Sequence, residues 1–245
     1  MVRILKNCNL KTGWGVQIRV QIKMHEKDRN LIQSIKRFFG DIGSISKVNH
    51  LSSVEFRVSA LKDLINVIIP HFDNSPLLTK KHSDYLLFKQ IVLLISDGAK
   101  QHTTLEGIQK IVNLKVYLNS GLSDSLKKAF PHAIWANKLV NQNIDNLLYV
   151  NLHPEWVAGF STGESNFFRE PLAVQKSKTK NGLYVSLRFS IAQHSRDALL
   201  LESFIDFFAG GQVVNYKNRL ISEFIVAKSQ LIVDKIVPFL TNIQY

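Results

Sequence analysis

The fold of this 245-residue chain is best indicated by one segment, Trp156-Val-Ala-Gly-Phe-Ser-Thr-Gly-Glu-Ser-Asn-Phe-Phe168. Gly159 and Gly163 are spaced to lie on one side of a predicted helix, where missing β-carbons let a second helix approach closely. With Ala158 they form a predicted helix-packing seam. Glu164 follows as the first charged residue, and a carboxylate beside a helix crossing can bind a divalent metal. Such glycine spacing is common, however, and Glu164 could equally be a solvated helix end.

An internal repeat relates the two ends of the chain. Residues 20–28 match residues 189–197 at an offset of about 169, and the similarity continues through 31–39 and 200–208. After a slip of one residue, 55–70 matches 223–238. We therefore expect two copies of one α+β unit: a first repeat at 1–131, a linker at 132–153 and a second repeat at 154–245.

Each copy contains a strand with alternating polarity. Val16, Ile18, Val20 and Ile22 alternate with Gln17, Arg19, Gln21 and Lys23, and Val185, Leu187, Phe189 and Ile191 alternate with Ser186, Arg188 and Ser190. This period predicts half-buried sheets with a polar, basic face, packed on helices over 28–39, 61–72, 84–96, 196–208 and 229–240. A capping box at Thr103-x-x-Glu106 predicts a helix to about residue 118, and 123–130 is a short helix ended by a proline.

The offset also places two counterparts outside the chain. The first-copy equivalent of Glu164 falls before residue 1, and the second-copy equivalent of Lys81 falls after residue 245. We expect a pair of units that lacks its first motif helix and its C-terminal helices. We then expect another polypeptide to pack against the helix-packing seam.

Charge indicates the class of partner. The chain has 31 Lys and Arg against 19 Asp and Glu, a formal charge of +12, which favours a polyanion such as nucleic acid. A basic protein without such a partner, or one that visits an anionic membrane, is the alternative. Cys8 is the only cysteine, so an intrachain disulfide and a cysteine zinc site are excluded. No glycine-rich phosphate loop, nucleophile elbow or membrane-length apolar run is present, so neither a small-molecule substrate nor a membrane is expected.

The motif helix ahead of a basic strand, in a duplicated unit, resembles the LAGLIDADG homing endonucleases of the single-chain type encoded in fungal mitochondrial introns. Residues 22–28, 69–79, 84–89 and 121–131 match recurring segments of that family. The resemblance implies an α+β fold of two pseudo-twofold-related αββαββα units, incomplete here, with antiparallel saddle sheets backed by helices that cradle DNA in the major groove.

The resemblance also implies site residues. Glu164 would be one of two motif acids that bind Mg²⁺ for cleavage, and Lys81 would lie near the cleavage centre. Alternatively, both residues are vestigial, or Lys81 is simply a solvated lysine. The expected nucleic-acid contacts are Gln17, Arg19, Gln21, Lys23, Arg169, Gln175, Lys176, Lys178, Lys180, Arg188 and Ser190. His25 and His194 occupy equivalent positions after a strand, and a structural role at the turn is expected because no other ligand is spaced to complete a metal site.

Two functions follow from these features. The first is a degenerate nucleic-acid-binding protein without autonomous cleavage, acting on RNA as a mitoribosome subunit or an intron maturase. The second is a Mg²⁺-dependent, site-specific DNA endonuclease completed by another polypeptide or by self-association. A poorly folding relic is disfavoured by the intact alternation. The resemblance places the protein in the mitochondrial matrix, encoded by the organelle.

Overall fold

The computed structural model describes residues 1–97, 101–118, 121–135, 152–171 and 185–242. The chain forms two compact units. Unit 1 comprises Met1–Leu77 and Lys81–Ile144, and unit 2 comprises Leu78–Lys80 and Asp145–Tyr245. The short segment 78–80 therefore belongs to unit 2, although it lies within the range predicted for the first repeat. The backbone amide of Lys80 donates a 2.8 Å hydrogen bond to Asp197 there.

Unit 1 is built on antiparallel strands. They are β1 (Val2–Lys6), β2 (Trp14–Ile18), β3 (Val20–His25), β4 (Ser44–Ile45) and β5 (Ser53–Val58), in the orders β1-β2 and β3-β5-β4. The strand predicted as continuous from Val16 to Lys23 is interrupted at Arg19. The Arg19 amide still bonds to the Met1 carbonyl, so the chain bends from one ladder into the other without a loop.

Helices cover the apolar side of these strands. They are α1 (Arg29–Phe38), α2 (Leu61–Asp63), a π-helical turn (Leu64–Ile68), α3 (Ile69–Asn74), α4 (Lys81–Ser96), α5 (Leu105–Lys115) and α6 (Asp124–Ala129), with 3₁₀ turns at Glu26–Asp28, Gln101–Thr103 and Pro131–Trp135. Val54, Phe56 and Val58 of β5 are completely buried against them. The sheet is therefore apolar on its helix-facing side, as the period-two pattern predicts.

Two helix boundaries differ from the sequence prediction. Thr104, not Thr103, caps α5, and its hydroxyl accepts a 3.0 Å bond from the Gly107 amide. Thr103 instead ends the preceding 3₁₀ turn. The capping-box pattern could not distinguish the two threonines, because both precede the acidic first turn of α5. Helix α4 begins at Lys81, three residues earlier than predicted.

Unit 2 repeats this arrangement and adds the motif helix. Its elements are α7 (Pro154–Glu164), β6 (Ser165–Pro171), β7 (Val185–His194), α8 (Ala198–Phe208), β8 (Gln212–Tyr216), β9 (Ile221–Val226), α9 (Ser229–Leu231), a π-helical turn (Ile232–Ile236) and α10 (Val237–Asn242). The antiparallel sheet has the order β6-β7-β9-β8. Trp156 and Phe160 of α7 stack at 4.6 Å and pack towards Phe204 of α8.

Local details confirm the repeat. The imidazole Nδ1 of His25 accepts from the Lys27 amide at 3.1 Å, and that of His194 accepts from the Arg196 amide at 3.2 Å. Each histidine thus caps a 3₁₀ turn, which confirms the structural role expected for both. The two π-helical turns are also equivalent, and a proline follows each at Pro70 and Pro238, where the missing amide hydrogen favours such a bulge.

No helix within the described ranges is both long and apolar enough to cross a membrane.

Candidate nucleic-acid interface and motif carboxylate

The side of the unit 1 sheet that faces away from the helices carries the predicted polar residues. We call this side the open face. The strand register places Arg3, Gln17, Gln21, Lys23, Glu55 and Arg57 on it. Arg19, between the two ladders, belongs to it because it lies close enough to Arg57, Arg3 and Glu55 for their charges to act on its guanidinium. Arg3, Glu55 and Arg57 were not among the contacts predicted from the sequence. Their own strands alternate in the same way, so the period of β5, with Glu55 and Arg57 between buried apolar residues, was the signal that could have found them.

Cations dominate this open face. The open face has four basic side chains, Arg3, Arg19, Lys23 and Arg57, and one acid, Glu55. Glu55 accepts a 3.1 Å bond from Arg57 Nε. Burial lowers the pKa of Arg19 from its ordinary value, and the nearby charge of Arg57 lowers it further. Arg19 Nε and Gln21 Oε1 are buried without a hydrogen-bond partner among the described residues. An anionic acceptor such as a phosphate oxygen would satisfy Arg19 Nε, whereas Gln21 Oε1 needs a hydrogen-bond donor, such as the amino group of a base.

The open face of unit 2 holds an arginine bound to an acid. Arg188 Nη2 donates to Glu223 Oε2 at 2.8 Å, and the Tyr216 hydroxyl donates to the same oxygen at 2.8 Å. Ser190, predicted on this polar face, is only 1% exposed. The expectation that Ser190 is accessible is therefore wrong, and Leu187, predicted on the apolar face, is exposed instead.

For the remaining predicted contacts, the structure describes only the backbone of Arg169 or lacks a description of the residue. The register pairs Phe168 with Arg188 and Arg169 with Leu187, so the backbone position of Arg169 is one residue out of phase with Arg188. The prediction that Arg169 and Arg188 share one face does not fit this register. Gln175, Lys176, Lys178 and Lys180 lie outside the described residues.

Glu164 is the last residue of α7, and Ser165 begins β6 directly after it. The backbone of Glu164 is therefore held between a helix and a strand, without an intervening loop. The carboxylate is exposed and lies at the negative end of the helix dipole, and the last turn of α7 has no basic residue. Both features leave a region of negative potential that suits a cation.

The packing seam is divided between two environments. Gly159 and Gly163 are exposed, and a β-carbon on either would meet no atom within 4 Å. Ala158 is buried, with 1% exposure, together with Val157 and Ser161. The two glycines thus form an open strip on α7, whereas Ala158 belongs to its covered side.

Lys81 is the first residue of α4. Its ammonium lies 3.6 Å from Asp84 Oδ2, and its side chain is 64% exposed. Within unit 1 it borders a cavity of about 830 Å³ that Asp84, Tyr85 and Lys115 also line. Lys115, which the sequence analysis did not single out, is buried and donates to the Gly121 carbonyl at 2.7 Å, so it stabilises the chain after α5.

The exposed carboxylate of Glu164 suits a divalent cation that is also held by other groups. Mg²⁺ is often held by one or two carboxylates together with substrate phosphates, and it retains several waters. Glu164 supplies one exposed carboxylate, and the described part of the chain contains no group of three or more His, Cys, Asp or Glu side chains placed to bind a metal. Glu164 would be one of several ligands of such an ion.

The sequence model of one family, described as LAGLIDADG endonuclease, matches residues 1–92 and 157–245. The chain belongs to this family. The two matched segments contain the strands of both units, most of α7 and Glu164, so the motif helix and the repeat identified from sequence are those of LAGLIDADG proteins. The family assignment and the α+β fold predicted from sequence are both confirmed.

Named relatives agree with this assignment. "Probable intron-encoded endonuclease 2" of Neurospora crassa is 48% identical over 244 residues, which cover 98% of this chain and 52% of that protein. The chain thus spans about half the length of this relative. The homing endonuclease I-SmaMI bound to cleaved DNA is 36% identical, with a TM-score of 0.83 over 99% of this chain and 77% of that one. I-LtrWI bound to target DNA is 34% identical, with a TM-score of 0.86 over 98% and 77%.

These relatives overturn the first functional hypothesis. They are endonucleases by name, and the structures that cover nearly the whole chain contain DNA. The hypothesis that the chain is an RNA-binding mitoribosome subunit or a maturase without cleavage activity is therefore wrong. Composition and charge could not make this distinction, because RNA and DNA present the same phosphate charge to a basic sheet.

Proposed function

We propose that this chain recognises a specific site in duplex DNA and takes part in its Mg²⁺-dependent cleavage. The observation that carries the proposal is the similarity to I-SmaMI bound to cleaved DNA, which extends over 99% of this chain at 36% identity. The second hypothesis from the sequence thus replaces the first. The chain spans about half the length of its intron-encoded relative, and its proposed role is participation in cleavage.

DNA binding is assigned to the open faces of the two sheets. Antiparallel strands fit the major groove, where arginine, lysine and glutamine donate to base edges and phosphates. Arg19, Gln21 and Lys23 of unit 1 and Arg188 of unit 2 are the proposed contacts with the clearest support, because they lie on the open faces. Gln17 joins them, and Gln175, Lys176, Lys178 and Lys180 remain proposed contacts that lie outside the described residues.

Glu164 is assigned to the metal. When bound, Mg²⁺ activates a water and stabilises the leaving oxygen of the phosphodiester. The role of Glu164 is to hold the ion at a fixed point between α7 and β6. A second carboxylate would come from outside the described residues, through another polypeptide or a second copy of this chain. Lys81, exposed at the start of α4, is proposed to stabilise phosphate charge near the cleavage centre.

A mitochondrial location, in the matrix and with organelle encoding, goes with this proposal. The support is the similarity to a fungal intron-encoded endonuclease.

The test uses the 245-residue chain and a library of random duplex DNA. Bound duplexes are selected, and their cleavage in Mg²⁺ is compared for the wild type, Glu164→Gln and Glu155→Gln. Glu155 is the matched control because it is an exposed acid on the same helix, in its first turn. Calcium is a second comparison, because another structure of I-SmaMI holds uncleaved target DNA in the presence of calcium ions; it is 36% identical, with a TM-score of 0.83 over 99% of this chain and 79% of that one.

We expect sequence-selective binding by all three proteins. Cleavage is expected in Mg²⁺ for the wild type and Glu155→Gln, and it should be lost in Glu164→Gln. If the wild type binds a selected duplex but no pairing with itself or a longer family member yields cleavage, the catalytic part of the proposal is wrong. Equal binding to duplex DNA of every sequence would contradict the recognition part.

A further inference from the structure

Both open faces carry one partly buried acid at the same position of the repeat. Glu55 and Glu223 are separated by the repeat offset, and their side chains are 16% and 15% exposed. Register supports the equivalence, since Glu55 pairs with Lys23 and Glu223 pairs with Ala192, which are themselves equivalent. Each acid holds an arginine, Arg57 in unit 1 and Arg188 in unit 2.

An acid on a DNA-binding face opposes general affinity. It repels phosphates and cancels the charge of the arginine that it binds, so it weakens the sequence-independent part of binding. Its presence in both copies therefore needs another reason. A carboxylate can orient a guanidinium, because the planar fork of arginine donates in fixed directions.

The geometry of unit 2 shows such an orientation. In the strand register Ser190 pairs with Ile225, between Arg188 and the Ala192–Glu223 pair. The Arg188 side chain reaches Glu223 across this position, and both Ser190 and Ile225 are buried, at 1% and 8% exposure. The Tyr216 hydroxyl donates a second 2.8 Å bond to the same carboxylate oxygen, Glu223 Oε2, and so holds that oxygen in place. Arg188 is therefore held along the sheet surface and is not extended towards a phosphate.

We propose that Glu223, supported by Tyr216, is a positioning residue that directs Arg188 to a base edge of duplex DNA, with guanine as the preferred base. Guanine presents N7 and O6 in the major groove, which match two parallel donors of an arginine fork. Glu55 has the same role for Arg57 in unit 1. The inference rests on the proposed function, since it specifies how one of its DNA-binding faces reads sequence.

The test is selection from a random duplex library with the full chain, followed by binding measurements on the selected duplex. Glu223→Gln removes the charge but keeps the shape, Tyr216→Phe removes only the hydroxyl, and Arg188→Lys keeps the charge but loses the fork. Glu202→Gln is the matched control, because Glu202 is an exposed acid on α8 in the same unit. Circular dichroism melting of each variant reports whether it is folded.

We expect the wild type and Glu202→Gln to select the same sequence. Glu223→Gln should lose discrimination at one guanine position by about 5- to 10-fold, while binding non-specific duplex more tightly, because one repelling charge is gone. Arg188→Lys should lose the same position, and Tyr216→Phe should show a smaller loss there.

Two results would overturn the inference. If folded Glu223→Gln and Arg188→Lys keep the wild-type preference at every position, the ion pair does not read sequence, although the proposed function stands. If wild-type protein selects no sequence at all, the proposed function and this inference both fail.

Discussion

Gly43 lies so close to the backbone of Arg57 that a β-carbon on Gly43 would be 2.4 Å from the Arg57 carbonyl oxygen. The residue also has φ +69°, in the left-handed region. Its counterpart Gly211 has φ +99°, and a β-carbon there would be 2.6 Å from the Phe224 ring. In both units the turn between a helix and the edge strand is therefore packed tightly on the central strand.

Gly43→Ala is expected to destabilise the protein by about 3 kcal/mol or more, the sum of left-handed strain and overpacking against a backbone atom. Gly13→Ala is the matched control, because Gly13 has φ +71° and open space around it. It should show the strain alone, about 1–2 kcal/mol. Urea unfolding of both variants measures the difference, and equal losses would show that the Gly43 turn can relax.

Asp73 links α3 to α4 and makes stability depend on pH. It accepts from Lys89 at 2.6 and 2.8 Å and from the Tyr85 hydroxyl at 2.6 Å. The bond from Lys89, followed by that from Tyr85, lowers the pKa of Asp73 below its ordinary value of 3.8. Since the folded pKa is the lower one, the stabilisation is complete above pH 3.8 and is lost as the pH falls through the folded pKa.

Asp73→Asn should therefore lower the melting temperature at pH 7, and the difference from the wild type should shrink as the pH falls below 3.8. Tyr85→Phe, which removes only one donor, should have a smaller effect at pH 7. Melting temperatures measured from about pH 2.5 to about pH 7, a range that brackets the carboxyl transition, provide the measurement. A pH-independent difference would mean that Asp73 acts through packing and not through its charge.

The open glycines on α7 allow a further prediction. Alanine stabilises a helix relative to glycine, and Gly159 has open space around its α-carbon. Gly159→Ala should thus stabilise the chain alone by about 0.5–1 kcal/mol. If this strip is a close helix contact in the active assembly, DNA cleavage should fall in the same variant. A loss of stability in the chain alone would show that the strip is already covered.

Repetition made much of the fold predictable from the sequence. The offset between the two histidines, and the alternation of residues 16–23, gave the strand, turn and helix of each unit, because a half-buried strand and a capped turn have local signatures. Thr104, Ser190 and Arg19 were harder. Two adjacent threonines could each cap α5, and the sequence does not show which one does. Ser190 is buried where the Arg188 side chain reaches across it to Glu223, and Arg19 lies at a bend between two ladders. The last two effects depend on contacts between strands.

The candidate site was only partly predictable for the same reason. A motif helix ending in a carboxylate identified Glu164, since the motif is contiguous in sequence. The pair of Arg188 and Glu223 joins residues on different strands, and the bond between Asp73 and Lys89 joins two helices. Such long-range pairs carry no local pattern, so the structure was needed to find them.

Glu164 and Glu155, at opposite ends of α7, should respond to neutralisation with opposite signs. A negative charge is unfavourable at a helix C-terminus and favourable in the first turn, because the helix dipole is negative at its C-terminal end. In metal-free buffer Glu164→Gln should raise the melting temperature by about 1–3 °C, and Glu155→Gln should lower it by a similar amount. Added Mg²⁺ should reduce the Glu164→Gln difference, because a cation bound at Glu164 offsets the unfavourable charge. If Glu164→Gln instead melts below the wild type without metal, the carboxylate makes a stabilising contact within the chain, and its availability as a metal ligand would have to be reconsidered.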